Sequence, residues 1–372
     1  MSDIVKNQHY IPQSVLKHFA FDGRVYEALV EEKKEPYQTP YNRSMSERYT
    51  YEHPYLTQNK LEKFFQDIED DYAPAIVETL RLIKLYETGE ETIDVIEKHV
   101  QAYLEAIIIY YYRSGALLHE FSHETKTKET RIAVLLDKLL NTSYIKKLGK
   151  TLREFYEFAI IKSDQNHFLI SDQYISTVAL RIKSRFGNVS NRHLGMKDVM
   201  ILVPFSSQYY VVFYNGRKPD YIQPKTLNLL TGEEVLDINK VIINNSYKKC
   251  VGREKNALIE ALSYFEWSSP SSVYIGHHSG RVSGSTLKKE IFFYERDKKA
   301  WELFTDPMHF SQYNDLGRND PCGCNSGKKF KLCCYVEYEE VKRIWRTIKD
   351  KNLALNVSVH PTAQVEQSIF SF

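Results

Sequence analysis

The most regular pattern in the chain is an amphipathic repeat over residues 58–86. Apolar residues recur there about every 3.6 positions, which predicts a long helix with one buried face. The apolar positions are Leu61, Phe64, Phe65, Ile68, Tyr72, Ile76, Leu80 and Ile83. Pro74 lies inside this pattern and has no backbone N–H, so we expect a kink or a break into two helices near residues 71–73.

Residues 92–121 form the next helical pattern, and residues 106–112 are apolar or aromatic on every side. This composition predicts a buried central helix. Arg113 follows it directly, and an arginine at the end of a buried segment needs a carboxylate or phosphate partner. His119 and His123 have the i, i+4 spacing of a metal-binding pair, but the charged residues around them favour a solvated surface.

Helical periodicity also extends over residues 129–161, where it predicts two amphipathic helices, and over residues 236–266. Short apolar runs predict strands. Residues 168–172 form one such run. Residues 200–205 and 209–214 are apolar on both faces, which is typical of two central strands joined as a hairpin. The predicted fold class is therefore α+β, a mostly helical main domain with a small β-sheet in its second half.

The composition restricts the class of protein. Hydrophobic residues make up 42% of the 372 residues and charged residues 26%, as in an ordinary globular protein. The net charge of +2 provides no global attraction for a polyanion, so a nucleic-acid site has to be a local basic groove. The chain lacks an apolar run of about 18 residues and a signal-peptide core, which predicts a cytoplasmic protein that does not span a membrane.

The segment around His9 is the first candidate for chemistry. Pro12 restricts the residue before it to an extended conformation, and the apolar residues Val15, Leu16 and Phe19 predict a short helix after it. An imidazole on such a fixed support suits general acid–base or metal chemistry. The alternative is a core histidine that is bonded to a backbone carbonyl.

Three carboxylates are further candidates. Glu62 and Glu69 are seven residues apart, which places both on one face of the first long helix. A pair of this kind can bind a divalent ion or tune the acidity of one member, and the alternative is a pair of solvated acids. Asp172 ends the apolar run at residues 168–172 and is a candidate metal ligand or base. Its alternative role is an Asx-turn or an N-cap.

The start of the chain reads Asn-x-His-Tyr-x-Pro-Gln-x-x-Leu-x-x-Phe from Asn7. This resembles the hallmark of a large family of bacterial and phage proteins with no established activity, a domain of unknown function. The likeness covers roughly residues 7–276 and includes Glu62, Glu69 and an arginine near Arg113. The family's Ser-Asp-x-Pro motif is similar to the sequence at Asp172, although the proline is absent here. Some members are associated with anti-phage defence, which the resemblance implies for this chain.

Four cysteines near the end of the chain are arranged as C-x-C, eight residues, then C-C. They are Cys322, Cys324, Cys333 and Cys334. Four thiolates can close a tetrahedron around zinc and leave no position for water, which predicts a structural Zn²⁺ site. The sequence closely resembles the SEC-C motif, first seen at the tail of the SecA translocation motor. The resemblance implies docking on a chaperone such as SecB, on the ribosome or on nucleic acid.

These observations predict four parts in the chain. They are a main domain at residues 1–280, a linker or docking segment at 281–312, a SEC-C zinc module at 313–350 and a loosely ordered tail at 351–372. The sequence does not indicate an oligomeric state.

The favoured hypothesis is a metal-dependent nuclease, acting on RNA or DNA with RNA preferred, that serves in anti-phage defence. Its catalytic residues are His9, Glu62, Glu69, Arg113 and Asp172. The acids would hold Mg²⁺ or Mn²⁺ to activate water, His9 would be the general base or acid, and Arg113 would hold the phosphate. The alternative is a sensor or adaptor without enzymatic activity that binds a phage or host protein. A nucleotide-modifying toxin lacks support because the chain has no Gly-rich phosphate loop.

Overall fold

The computed structural model describes residues 7–32, 34–48, 51, 57–113, 142–182, 194–266, 271–277, 290–305, 310–350, 353–359 and 366–368. The chain forms two compact units. Unit 1 consists of Met1–Thr177 and Met200–Trp267, and unit 2 consists of Val178–Val199 and Ser268–Phe372. Unit 2 is therefore built from two stretches that are distant in the sequence.

Helices and strands both occur along the described residues, partly in runs of one kind, and the predicted α+β class is confirmed. The helices are α1 (Gln13–Leu16), α2 (Lys60–Thr88), α3 (Ile93–Ala102), α4 (Leu104–Arg113), α5 (Thr142–Phe155), α6 (Gly232–Asn245), α7 (Lys255–Ser263), α8 (Glu295–Thr305) and α9 (Tyr335–Asp350). The strands are β1 (Asn7–His9), β2 (Arg24–Leu29), β3 (Tyr37–Pro40), β4 (Ser46–Arg48), β5 (Glu157–Lys162), β6 (Ile170–Ser171), β7 (Ser176–Ala179), β8 (Val199–Pro204), β9 (Tyr209–Asn215), β10 (Leu227–Leu229), β11 (Lys249–Gly252), β12 (Ser271–His277), β13 (Leu353–Val359) and β14 (Glu366–Ser368). Among the described helices, none is long and apolar enough to span a membrane.

The strands form four sheets in the described residues. A five-stranded sheet has the order β10–β5–β9–β8–β7, and a four-stranded sheet has the order β3–β2–β11–β6. Strands β1 and β4 pair with each other, and β12, β13 and β14 form a separate sheet. The predicted hairpin is present as β8 and β9, and the residues of β8 are all buried. Strands also occur in the first half of the chain, because β2 and β3 come from the first 40 residues.

Helix α2 runs without a break through Pro74, so the expected division into two helices is wrong. A proline at this position removes the N–H that would bond the carbonyl of Asp70. Both Pro74 and Asp70 are exposed, so water can take the place of the lost donor. The buried face of α2 includes Leu61, Phe65 and Tyr72, in agreement with the predicted apolar stripe.

The sequence predicted two helices over residues 129–161, but the last part of this region is a strand. Helix α5 is present, but residues 157–162 form β5, which pairs with β9 and with β10. The run Phe158–Ile161 is buried throughout. A short continuous apolar run fits a central strand as well as a buried helix, and periodicity does not distinguish the two. His119 and His123 lie outside the described residues.

Unit 2 has an aromatic core shared by α8, α9 and the cysteine-rich segment. It contains Trp301, Phe304, Tyr313, Phe330, Tyr338 and Trp345, and the rings of Phe304 and Trp345 stack with centroids 4.9 Å apart. The first stretch of the unit joins this core through Ile182. The backbone N–H of Ile182 donates to Asp297 Oδ1 at 2.8 Å, and Phe293 N–H donates to the carbonyl of Ala179 at 3.0 Å.

The end of the chain, expected to be loosely ordered, contributes strands β13 and β14. Strand β13 pairs antiparallel with β12 along its whole length, from Leu353 opposite His277 to Val359 opposite Ser271. The sequence of β13 alternates apolar residues with small or polar ones, which is the period of a strand. The alternating sequence of residues 353–359 therefore indicates a strand, although the segment lies near the end of the chain.

Candidate functional site

The segment that carries His9 is held from both sides. Strand β1 pairs antiparallel with β4, with His9 opposite Ser46. Pro12 has φ −58° and ψ 142° and precedes the first residue of α1, as the sequence predicts for an extended lead-in to a short helix. Tyr10 and Ile11 are buried, so the backbone on both sides of the imidazole is anchored by apolar contacts.

The protonation of His9 follows from its hydrogen bond. Its Nε2 lies 3.1 Å from the carbonyl oxygen of Asn42. Because a carbonyl can only accept, Nε2 carries the proton and Nδ1 has the free lone pair. Burial lowers the pKa of His9, and the charges of Arg113 and Lys249 lower it further, against the opposing effects of the Asn42 bond and Glu69. The lowered pKa favours the neutral form of His9, in which the lone pair is on Nδ1.

The carboxylate of Glu69 has a hydrogen bond with one segment of the chain and an ion pair with another. Ser14 Oγ, on α1, donates to Glu69 Oε1 at 2.9 Å. Arg113 Nη1, at the end of α4, lies 3.6 Å from Glu69 Oε2. The field of Glu69 also reaches His9. Three segments that are far apart in the sequence, at residues 9–14, 69 and 113, are thus brought to one place.

Arg113 is almost completely buried, with 3% of its side chain exposed, whereas 27% of the Glu69 side chain is exposed. The guanidinium carbon of Arg113 lies 4.7 Å from the centre of the Phe65 ring, a cation–π contact that holds the group flat against α2. Tyr51 Oη donates to the backbone carbonyl of Arg113 at 2.6 Å. The arginine is therefore fixed in position before any ligand arrives.

Glu62 is partly buried on the same helix as Glu69. Its charge acts on Tyr51, whose pKa is raised mainly by burial and further by Glu62. Because Tyr51 bonds to Arg113 and its ring packs 5.0 Å from that of Phe65, Glu62 belongs to the surroundings of the arginine. Its carboxylate adds a negative charge to the surroundings of Arg113.

Asp172 has a different role. Its side chain is buried, and its carboxylate accepts three backbone hydrogen bonds, from Tyr247 N–H at 3.0 Å, Lys248 N–H at 2.8 Å and Lys249 N–H at 3.1 Å. A carboxylate that is used in this way holds a loop in place and has little capacity left for a metal ion. The geometry therefore gives Asp172 a supporting role at the turn before β11.

The four cysteines predicted as zinc ligands come together. Their sulfur atoms all lie within 4.8 Å of one another, and the distances are 3.4 Å for Cys324 to Cys333 and 3.7 Å for Cys333 to Cys334. A tetrahedron with Zn–S bonds of about 2.3 Å has sulfurs about 3.8 Å apart. The donor set and its spacing therefore fit Zn²⁺, which would add stability to the aromatic core of unit 2.

The turns of the zinc segment follow the small residues noted in the sequence. Gly327 has φ +71°, a conformation that glycine adopts without steric cost. The N–H of Cys322 donates to the carbonyl of Lys328 at 2.8 Å, which closes the loop between the two cysteine pairs. Phe330 and Tyr313 pack beneath it.

Two comparisons place these segments among known proteins. Residues 7–256 match the family described as "Protein of unknown function (DUF4238)". The chain belongs to this family. Residues 318–335 match the SEC-C motif, as the cysteine pattern predicted, and no solved structure matches the chain. The family match does not assign an activity to the chain, and the link to anti-phage defence stays a proposal.

The DUF4238 domain contains one charged group that sequence reasoning missed. Glu27, on β2, is 2% exposed, and Lys249 Nζ, on β11, lies 2.9 Å from its Oε1. Ser44 Oγ and Tyr37 Oη also donate to its carboxylate. Burial alone would raise the pKa of Glu27, but Lys249 and these hydrogen bonds outweigh it, so the pKa is lowered. Glu27 lies two residues after the buried Val25, so the two residues share one face of strand β2. This period of two is the sequence signal that could have identified Glu27 as buried.

Lys249 connects this group to His9 in the DUF4238 domain, because its charge is one of those that lower the His9 pKa. The imidazole therefore has two cations in its surroundings, Arg113 and Lys249. In the described part of the chain, the cluster of side chains able to hold a metal ion is the set of four cysteines. The acids predicted to bind Mg²⁺ or Mn²⁺ are not gathered in the same way.

Proposed function

We propose that the DUF4238 domain is a nuclease with a preference for RNA, that it acts in anti-phage defence, and that its site is formed by His9, Glu69 and Arg113. The supporting observation is the convergence of a neutral imidazole, a buried guanidinium and a carboxylate from three separate segments. This is the combination that phosphodiester cleavage needs, namely a base and a fixed positive charge.

The residues suit RNA in particular. The 2′-hydroxyl of RNA is a nucleophile next to the phosphorus atom, so a base can start the reaction. In the proposed step the 2′-oxygen bonds to phosphorus, its proton passes to Nδ1 of His9, and the 5′-oxygen leaves and takes a proton from solvent. Arg113 stabilises the charge on the phosphoryl oxygens, with Lys249 as a second positive group. Glu69 keeps Arg113 oriented.

A catalytic Mg²⁺ or Mn²⁺ was part of the expectation from sequence. The donor set does not fit it well, because Asp172 is used by three backbone amides and only Glu62 and Glu69 remain of the three acids. The proposed step is therefore written without a metal ion. Cleavage assays with and without a chelator decide between a metal-dependent and a metal-independent nuclease.

A specific observation also favours the adaptor reading. Arg113 is buried against Phe65 and faces Glu69, and an internal ion pair that only supports the fold has the same contacts. In that case the domain would bind a phage or host protein and would have no turnover. The cleavage assay below separates the two functions.

We propose that the SEC-C module, residues 313–350, recruits a partner in the cytoplasm. Its exposed surface carries Arg318, Lys328, Lys329 and Lys331, and Leu332 is 71% exposed beside them. A basic surface with an apolar centre suits an acidic partner, whether a SecB-like chaperone, the ribosome or nucleic acid. Capture with and without ribonuclease treatment distinguishes an RNA-mediated contact from a direct protein contact.

The His9→Ala variant is expected to lose RNA cleavage by about 100- to 10,000-fold, because general base catalysis contributes a factor of that order. The measurement is cleavage of total RNA, tRNA and plasmid DNA by the full chain, with Mg²⁺, with Mn²⁺ and with EDTA. The matched control is His99→Ala, since the His99 ring bonds to the Ala75 carbonyl on the neighbouring helix and lies outside the proposed site. Both variants should keep the wild-type circular dichroism spectrum. Equal cleavage by wild type and His9→Ala would exclude His9 as the catalytic base, and no cleavage of any substrate would move the assignment to an adaptor.

The rate of cleavage is expected to rise with pH and then to level off. His9 must be unprotonated to act as a base, and its pKa is lowered from 6.5 by burial and by the two nearby cations. Activity is therefore lost as the pH falls through a midpoint below 6.5. Single-turnover rates measured between about pH 4.5 and 8 check this. A profile that is flat in this range would exclude His9 as the base.

A further inference from the structure

The backbone at residues 42–46 orients the imidazole of His9. The carbonyl oxygen of Asn42 accepts from His9 Nε2 at 3.1 Å, and the N–H of Tyr10 donates to the carbonyl of Met45 at 3.1 Å. Met45 has φ +50°, a left-handed conformation that is uncommon for a residue with a side chain. Such a conformation persists only where the surrounding contacts hold it. The position of the Asn42 carbonyl therefore depends on the groups that hold Met45 and its neighbours.

Glu27 holds this segment with one oxygen of its carboxylate. Ser44 Oγ donates to Glu27 Oε2 at 2.5 Å, and the N–H of Met45 makes a longer bond of 3.4 Å to the same oxygen. Ser44 and Met45 are fully buried and Glu27 is 2% exposed, so water does not compete for these bonds. A hydrogen bond to an ionised group is about twice as strong as one between neutral groups. The carboxylate therefore anchors the strained residue.

The other oxygen of Glu27 holds Lys249. Glu27 Oε1 lies 2.9 Å from Lys249 Nζ, and the backbone N–H of Lys249 donates to Asp172 Oδ2 at 3.1 Å. The lysine is therefore fixed at its main chain and at the end of its side chain. Its positive charge acts on His9. One buried carboxylate thus connects the hydrogen-bond acceptor of the imidazole with a cation in its surroundings.

We infer that Glu27 is a positioning residue for His9, because it anchors both the segment that orients the imidazole and the lysine whose charge acts on it. The inference rests on the proposed function, in which Nδ1 of His9 takes the proton of the 2′-hydroxyl. A general base needs its free lone pair at the proton that it removes, and the Asn42 carbonyl keeps the ring proton on Nε2. Glu27 acts through these residues and is not itself a group that touches the RNA.

The first test examines His9 without a substrate. Nitrogen-15 NMR of the full-length protein, labelled at histidine, distinguishes the two ring nitrogens, and the His9 signals are those that disappear in His9→Gln. Wild type should show a protonated Nε2 and a free Nδ1 at a pH where His9 is neutral. Ser44→Ala removes the hydroxyl bonded to Glu27 Oε2, so the two nitrogen shifts should move toward each other. Tyr37→Phe removes a hydroxyl bonded to Oε1 of the same carboxylate and should leave both shifts unchanged.

The charges around His9 provide a second test, which is its titration midpoint. Arg113 on α4 and Lys249 on β11 lower the pKa of His9, whereas Glu69 on α2 and the bond to Asn42 raise it. Removal of the Lys249 cation should therefore raise the pKa of His9. The midpoint of its NMR titration should move to higher pH, and the midpoint of the pH profile of cleavage should follow it. A loss of stability alone would not produce this shift.

The variant for the second test combines Glu27→Gln with Lys249→Met, because a buried carboxylate without its partner would unfold the site. The oxygen of the new amide can still accept from Ser44, so the segment keeps an anchor. Lys248→Met is the matched control. Lys248 is the neighbouring lysine and pairs with Glu47 instead, so its removal should leave the midpoint unchanged.

The two proposals fail in different ways. Ser44→Ala should slow single-turnover cleavage of RNA about 10- to 100-fold, since a small misplacement of a catalytic group has effects of this order. Changed nitrogen shifts in Ser44→Ala, with no cleavage of any RNA by wild type, would keep the positioning role and reject the nuclease. Cleavage by wild type, with unchanged shifts and rate in Ser44→Ala, would keep the nuclease and overturn the inference. An unchanged midpoint in the double variant would also overturn it.

Discussion

Removal of zinc from the four cysteines is expected to unfold the aromatic core of unit 2. Structural zinc sites contribute roughly 10–16 kcal/mol of apparent binding free energy at pH 7, as much as the whole stability of a typical domain. Trp301 and Trp345 lie in that core, and they are two of the three tryptophans of the chain. A strong chelator should therefore shift tryptophan emission to longer wavelength, while one zinc ion per chain is released.

The matched control for this experiment is Cys250→Ala. Cys250 is buried on β11 in unit 1, far in sequence from the zinc segment, and the variant should keep one zinc ion per chain. Cys324→Ser should lose the metal and the fluorescence signal together. If the chelator removed zinc and the tryptophan emission did not change, the metal would have no structural role in unit 2.

Asp172→Ala is expected to destabilise the protein by about 3–5 kcal/mol. Asp172 is 1% exposed, and removal of its carboxylate leaves three backbone N–H groups of residues 247–249 without their acceptors, a loss typical of broken buried networks. Urea unfolding followed by circular dichroism measures the change. The exposed Asp220→Ala should change stability by less than about 0.5 kcal/mol.

This variant also tests the role first expected for Asp172 as a metal ligand or base. If Asp172→Ala kept the stability of wild type and lost activity, the carboxylate would belong to the reaction. If it lost stability and the surviving folded fraction cleaved RNA normally, the carboxylate would serve only the loop before β11. Activity should therefore be measured at a temperature where the variant is still folded.

The parts of the fold that the sequence predicted are those with local signals. Helix α2 has a repeat of 3.6 residues over its length, the hairpin β8–β9 is two apolar runs around a polar turn, and the cysteines have a spacing typical of a metal site. Strand β5 was missed because its four apolar residues fit either a strand or a buried helix. Its partners, β9 and β10, lie more than 40 residues later in the chain.

The candidate site could be predicted by residue type but not by arrangement. His9, Glu69 and Arg113 were recognised because each is a chemically active residue at a structured position. Their convergence depends on how α1, α2 and α4 pack, which no local pattern encodes. The ion pair of Glu27 with Lys249 joins strands more than 200 residues apart. The partners of Asp172 are backbone amides, and these carry no sequence signature at all.

The division of unit 2 into two stretches has a consequence for the order of events at the ribosome. Ile182 is synthesised 115 residues before Asp297, its hydrogen-bond acceptor. At a synthesis rate of about 5–20 residues per second, it waits roughly 6–23 s before that partner exists. A nascent chain therefore carries Ile182 without this acceptor while 115 of its 372 residues are added. Unit 2 can be completed only after its second stretch, which includes the cysteines, has been synthesised.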